Sequence, residues 1–370
     1  MPSAARPWLR GPLFDVAGLA FCWLPVYLWV VFGLGIGAEV FGVAPLGPWE
    51  ARESLALAIL VVLGLTWVHR HYTFVLVYGD GDTFRERRAA YLLAPLALFG
   101  VAALALSTER TLALGPLRIS PAGALLVTSG LWNVWHTVQQ RYGILRAYAG
   151  RAGHGLETRA HARRDRALLW GGVVALAVLL PWARAETFAS HPSARRLHAQ
   201  LAPVVEHPAY LAAVGVALLG FAAIALRWVM HERRAAVDRG PRWIFLASTF
   251  ALLAVFVVHG PIVGYLCFGA AHAIEYVFFV HHFGARRWGG AEAPGRERRS
   301  VAAVFLGRPW LFAPPLVGSL VFLYVVARAG RGTEAYVAYY VGTSMLHFLY
   351  DGWIWKLRQP RVARSLALAR

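Results

Sequence analysis

Long apolar runs separated by short polar bridges dominate the chain. Runs able to cross about 30 Å of hydrocarbon fall at roughly 16–42, 54–79, 89–107, 118–146, 167–183, 208–230, 243–259, 261–284, 309–327 and 334–356. A backbone in lipid must satisfy its own N–H and C=O groups, so each run is expected to be helical. The pattern therefore predicts an all-α fold, a polytopic transmembrane helical bundle of about ten helices forming one integral-membrane domain over residues 1–370. Short basic loops near 146–166 and 284–300 join its parts. A tail at 359–370 alternates Arg with Val362, Leu366 and Leu368, as an amphipathic interfacial helix would. The first run begins beside Asp15 and lacks a small-residue cleavage signature, so it reads as a retained helix.

Composition agrees: 58% of residues are hydrophobic and only 15% charged, too apolar for an ordinary soluble domain. A net charge of +18 would suit a nucleic-acid partner, but its distribution argues for topology instead. Basic residues gather at Arg6 and Arg10, Arg85 to Arg88, Arg146 to Arg166, Arg233 to Arg239, Arg286 to Arg299 and Arg358 to Arg370, which are alternate loops. Such residues mark the cytoplasmic face. Both termini are then cytoplasmic, the location is the inner (cytoplasmic) membrane, and the bilayer with its anionic headgroups is the partner of the charge. One outer loop breaks the pattern, with Arg184, Arg195 and Arg196. Cys22 and Cys267 both sit in apolar runs, which argues against a disulfide or a thiolate cluster.

The apolar runs are interrupted by histidine. His69 lies eleven residues before Asp80, His136 ten before Arg146, His272 fourteen before Arg286 and His347 nine before Lys356. On the predicted topology the four helices all run from outside to inside, so the imidazoles occupy similar depths and can converge. Ionisable groups in a bilayer are costly, and several at one depth suggest a site. Each has companions. Asn133 and Gln140 share a helix face with His136; Glu275 follows His272 by one turn, and His282 returns to the Glu275 face. His347 and Asp351 form an i, i+4 pair below Tyr340 and Ser344, whereas His69 and His71 point about 160° apart, so only one can face a shared centre. A Glu with a His three residues away is a spacing used by carboxylate-bridged metal sites in helical bundles.

This set suits a metal ion. The candidate ligands are His69, His136, His272, His282 and His347, with Glu275 and Asp351 as catalytic carboxylates and Asn133 and Gln140 as supporting groups at the cofactor. Imidazole and carboxylate favour iron, with zinc or copper as alternatives. A site reached from lipid implies a hydrophobic small-molecule substrate, such as a lipid, fatty acyl chain or isoprenoid, and an electron donor. A simpler account exists for any one pair, since a His–Asp contact between helices is often only packing. His71, His281 and Arg141 lie near an interface and suit that account, as do the histidines of loops and helix ends.

Two resemblances bear on these residues. The histidine ensemble resembles the histidine-rich membrane iron enzymes, which include acyl desaturases, hydroxylases and bacterial carotenoid-cleaving dioxygenases, although HxxxH and HxxHH boxes are absent. That resemblance implies an iron-dependent oxidoreductase. Over some fifteen residues, His259-Gly260, Gly269 and His272 are similar to the H-G-x8-G-x2-H spacing of membrane-bound O-acyltransferases, which implies His259 as a catalytic base. A haem or quinone carrier using two facing histidines, and a transporter with a polar midplane, remain as further alternatives.

Overall fold

The computed structural model describes residues 7–114, 117–153, 158–186, 199, 202–234, 239–288, 300–328 and 334–368. Its long helices are α1 (Pro48–Tyr78), α2 (Arg88–Ser107), α3 (Pro121–Ala152), α4 (Arg159–Ala183), α5 (Pro208–Arg233), α6 (Gly240–Trp288), α7 (Ala313–Arg328) and α8 (Glu334–Ile354). Ahead of them the first apolar run is broken, Phe14–Ala20 and Leu24–Gly33 meeting at 57°. Among the described residues the only strands are a short antiparallel hairpin, Leu112–Leu114 with Leu117–Ile119. The fold is thus essentially all-α, as the apolar runs require. Among the described residues five helices, α1, α2, α4, α5 and α6, are long and apolar enough to cross a membrane, or six spans if the bent pair is one. The chain reads as a multi-pass membrane protein. Helices α3 and α8 fall outside that set although they have 32 and 21 residues, and they are the ones that carry His136 and His347 among polar neighbours.

Helix α6 covers two of the expected runs in 49 residues, interrupted at Gly260, whose φ of 84° and ψ of 174° are not helical. Pro261 follows; a proline lacks the N–H and crowds the carbonyl four residues back, here Val257. That carbonyl is not left bare. Arg184 donates from Nε to the Val257 carbonyl at 2.7 Å, and its Nη2 reaches the carbonyls of Val257 and Val258. The arginine that violates the charge pattern therefore serves the helix break. Arg195 and Arg196 lie outside the described residues, as do 154–157 and 289–299 of the basic loops and 369–370 of the tail.

The chain forms two compact units. The first comprises Met1–Ile59, Gln140–Ala271 and Ala367–Arg370. Within it α4 packs on α5, where Gly171 admits Ile224 and Gly172 admits Phe221 and Phe250; a Cβ at Gly172 would stand 2.7 Å from the Phe250 ring. Its charged interior is neutral in sum. Asp165, with no exposed surface, accepts from Arg146 Nη1 at 2.7 Å, Arg242 Nη2 at 2.8 Å and Trp228 Nε1 at 2.9 Å, while Arg242 also grips Glu232. Buried charges persist only when paired and hydrogen-bonded, and these four are.

The second unit comprises Leu60–Gln139 and His272–Leu366. Helix α8 lies close on α2 because Gly342 leaves room for Phe99, whose ring a Cβ would approach to 2.7 Å. Beside that contact Ala102, Leu125, Val341 and Met345 form a small apolar core. The tail is helical at Pro360–Ser365 and buries Val362, Ala363 and Leu366. Arg361 ties it to Glu86 at 2.9 Å and Thr83 at 3.0 Å.

The helix break yields a stability prediction. Arg184→Ala leaves two carbonyls without their donor and should cost about 1–3 kcal/mol, read as a lower unfolding midpoint in detergent. Arg184→Gln, which keeps N–H donors, should lose less. Equal midpoints for wild type and Arg184→Ala would refute this role.

Candidate metal centre

Within the second unit, four helices each turn one histidine inward. His69 from α1, His136 from α3, His272 from α6 and His347 from α8 are all at most 5% exposed. Helix α1 is held to α8 by Arg70, which donates to the carbonyls of Thr66 at 2.9 Å and Tyr340 at 2.8 Å. It donates also to the hydroxyls of Thr343 at 3.2 Å and Ser344 at 2.6 Å, and its guanidinium lies 4.1 Å over the Tyr340 ring. This clamp, adjacent in sequence to His69, fixes the register between two of the histidine-bearing helices.

The imidazole nitrogens are closely grouped. His69 Nε2 lies 3.0 Å from His272 Nε2 and 3.1 Å from His347 Nε2. The His136 ring stands 5.0 Å from that of His272 and 4.7 Å from that of His347, centre to centre. Its Nε2 faces Asp351 Oδ2 at 3.6 Å, too far for a hydrogen bond. Two sets of three ligand atoms each lie within 4.8 Å of one another: His69, His272 and His347, and His136, His347 and Asp351.

A hydrogen-bonded network sets the protons around this group. Thr73 Oγ1 and the Tyr276 hydroxyl each donate to Asp351 Oδ1 at 2.8 Å. The two hydroxyls also stand 2.6 Å apart, and Thr73 Oγ1 lies 2.7 Å from His347 Nδ1. In the arrangement where His347 Nδ1 donates to Thr73, its Nε2 presents a lone pair towards His69, because the bond made by one ring nitrogen dictates the state of the other. Trp355 Nε1 completes the set by donating to Tyr276 at 3.3 Å. A metal-ligating imidazole usually donates its far N–H to a carboxylate, a backbone carbonyl or water; here the Thr73 hydroxyl stands between His347 Nδ1 and Asp351.

The nitrogen spacing tests whether an ion fits. Metal–nitrogen bonds of about 2.0–2.1 Å at right angles put ligand nitrogens about 2.9 Å apart, and tetrahedral angles put them about 3.4 Å apart. The observed 3.0 and 3.1 Å fall in this interval, closer to the first. Hydrogen bonding alone accounts for them poorly, since one Nε2 has a single proton or a single in-plane lone pair and cannot make two linear bonds. The donor set of neutral imidazoles with a nearby carboxylate suits iron, zinc or copper.

Other sequence candidates sit elsewhere. His282 is buried on α6, but ten residues past His272 amounts to about 15 Å along a helix, far beyond two bonds to a common ion. The expectation that it joins the ligands considered angle and not axial distance. Glu275 is fully buried one turn past His272, outside both sets of converging ligand atoms. Asn133 and Gln140 flank His136 by one turn on either side, Asn133 in the second unit and Gln140 at the start of the chain's return to the first. His71 bonds the Trp67 carbonyl at 2.6 Å and the Tyr339 hydroxyl at 2.7 Å, and His281 bonds the Leu306 carbonyl at 2.7 Å and the Tyr72 hydroxyl at 3.0 Å. Both are packing histidines. In the first unit His259 Nδ1 donates to the Gly37 carbonyl at 3.0 Å and Nε2 accepts from Tyr27 at 2.9 Å.

Sequence reasoning passed over Thr73, Tyr276 and Trp355. A signal for them existed: Thr73 follows His69 by four residues and Tyr276 follows His272 by four, each on the same helix face, and Trp355, just past the end of α8, follows Asp351 by four. Comparison with protein-family models, curated proteins and solved structures finds no match for this chain.

The supporting network predicts graded effects on metal affinity. Thr73→Val and Asp351→Asn should each weaken binding about 10–100-fold, measured by competition with a chelator, with helical content retained. His282→Gln should leave affinity unchanged, and a loss there equal to that of His69→Ala would contradict the geometry.

Proposed function

We propose that this chain is an integral-membrane, metal-dependent oxidoreductase with non-haem iron as its metal and a lipid, fatty acyl chain or isoprenoid as its substrate. The observation that carries this reading is the convergence of three buried imidazoles inside apolar helices, His69 Nε2 lying 3.0 Å from His272 Nε2 and 3.1 Å from His347 Nε2 with all three ligand atoms within 4.8 Å of one another. Three histidines on one side of an ion leave coordination positions open, an arrangement associated with non-haem iron oxygenases when two histidines and a carboxylate form the face. The ion, when bound, supplies Lewis acidity and one-electron redox capacity. Zinc or copper would bind similar donors, and the experiment below separates them.

The chain's own residues prepare the site. His69, His272 and His347 hold the ion; His136 and Asp351 stand beside it and are available as additional ligands or as proton-handling groups near the substrate. Thr73 and Tyr276 keep Asp351 in place through the hydrogen bonds described above. Phe348, whose ring lies 4.8 Å from that of His136, belongs to the apolar wall that excludes water. An apolar substrate follows from the surroundings, since entry is from helices facing hydrocarbon, and the reaction calls for an electron donor at the membrane surface.

The same reading includes the topology. The bent N-terminal segment, α1 to α5, the two halves of α6 divided at Gly260, and α7 and α8 match the ten apolar runs in order. That order supports ten crossings with both termini in the cytoplasm, in the inner membrane. A haem reading would use two facing histidines, and the spectrum of the purified protein described below separates it from this one. The acyltransferase reading has one observation in its favour, the base-like bond from Tyr27 to a His259 oriented by Gly37. Retained catalysis in His259→Ala would remove it.

Purified from iron-replete cells, the protein should carry stoichiometric iron without a Soret band. His69→Ala and His347→Ala should lose that iron while remaining folded. A haem spectrum, zinc in place of iron, or no co-purifying metal would contradict the reading.

A further inference from the structure

Tyr276 has a second set of contacts that support of Asp351 does not require. Its ring centre lies 5.2 Å from that of His347 and 5.6 Å from that of His69, while its hydroxyl donates to a carboxylate. A phenol beside a redox centre, with a base already bonded to its proton, is arranged to lose an electron and that proton together. On its other side begins a line of indoles. Trp355 donates to the same hydroxyl at 3.3 Å with ring centres 6.3 Å apart. Phe283 lies 5.0 Å from Trp355 and 6.2 Å from Trp288. Trp288 ends α6 under Arg287, whose guanidinium is 5.1 Å over the indole and ion-paired with Asp80 at 2.7 Å. The line thus runs from the histidines to the charged end of the helix, which the distribution of arginines places at the cytoplasmic rim.

We propose that Tyr276 and Trp355 form an electron relay between the histidine centre and the charged rim at Trp288. The proposal rests on the redox-metal reading of that centre. In the step envisaged, one electron leaves Tyr276 for the centre after the centre has been oxidised by a peroxide or by dioxygen. The phenolic proton passes along the existing bond to the Asp351 carboxylate, leaving a neutral tyrosyl radical. One electron from Trp355, replaced in turn by a reductant at the rim, and return of the proton restore the phenol. Indole and phenol are the side chains oxidisable enough for such hopping, and Phe283 provides packed aromatic contact across the remaining interval. An additional reason for the position of Trp355 is its hydrogen bond, which couples it to the tyrosine directly instead of through space alone.

The test uses the full-length protein in detergent, loaded with iron(II) and mixed with hydrogen peroxide and then with ascorbate as the water-soluble reductant at the rim, frozen at intervals and examined by electron paramagnetic resonance. Wild type should show a tyrosyl signal. Tyr276→Phe should lose it while binding iron with unchanged stoichiometry, and Trp355→Phe should keep it but lengthen its lifetime several-fold, because refilling is slowed. Iron bound without any tyrosyl signal, or the same signal persisting in Tyr276→Phe, would overturn the relay alone. If Tyr276→Phe fails to fold, an unchanged lifetime in Trp355→Phe would overturn it by itself. Failure of the wild type to bind iron would overturn both the relay and the metal reading beneath it.

Discussion

A polar group in hydrocarbon must find a partner inside the protein, and this constraint organises both units of the chain. Water is not at hand to solvate an imidazole at membrane depth, so each buried histidine has to be satisfied by another residue or by an ion. Around His69, His272 and His347 the protein offers mainly other imidazoles. Nitrogens facing nitrogens make a poor hydrogen-bonded core and a good ligand set. The surrounding helices, the Arg70 clamp and the Thr73–Tyr276–Asp351 network then follow as the means of holding that set in register.

The two units answer the same constraint differently. In the first, Asp165 and Glu232 face Arg146 and Arg242, opposite charges that cancel in place. Breaking such a set by removing one member strands a charge, and for that reason these residues read as structural. In the second, four imidazoles gather with one carboxylate, and among the described residues no arginine is ion-paired with Asp351; its acceptor oxygen is shared by two hydroxyls. On the proposed metal reading, a cation completes this cluster, which is short of counter-charge and rich in lone pairs. The contrast separates a polar interior that closes on itself from one that has a place for a ligand.

Much of this was legible in the sequence, and the limits have physical causes. Apolar run length located the long helices, and the alternation of basic loops led to the expectation of one depth for the histidines, so His69, His136, His272 and His347 with Asp351 could be grouped from the sequence. Helical angle alone also drew in His282, because a seven-residue return to the Glu275 face brings a side chain back in direction while carrying it along the axis. Thr73 and Tyr276 were missed since hydroxyls in apolar helices usually bond their own backbone, and only the histidine four residues before each gives them away. The role of Arg184 was illegible for another reason: its partner, the carbonyl disturbed by Pro261, is 73 residues distant in the chain. Charge counting could register it only as an exception.

Whether one ion joins these histidines can be read from the metal itself. X-ray absorption at the edge of the bound metal, on protein purified without added tag metal, measures the nature and number of its nearest neighbours. The account predicts three or four nitrogen neighbours at about 2.0–2.2 Å, with the outer scattering of imidazole rings, in a spectrum that loses one imidazole when His272 is replaced by Ala. A shell of oxygens without imidazole scattering, sulfur neighbours, or a spectrum unchanged by that replacement would contradict it.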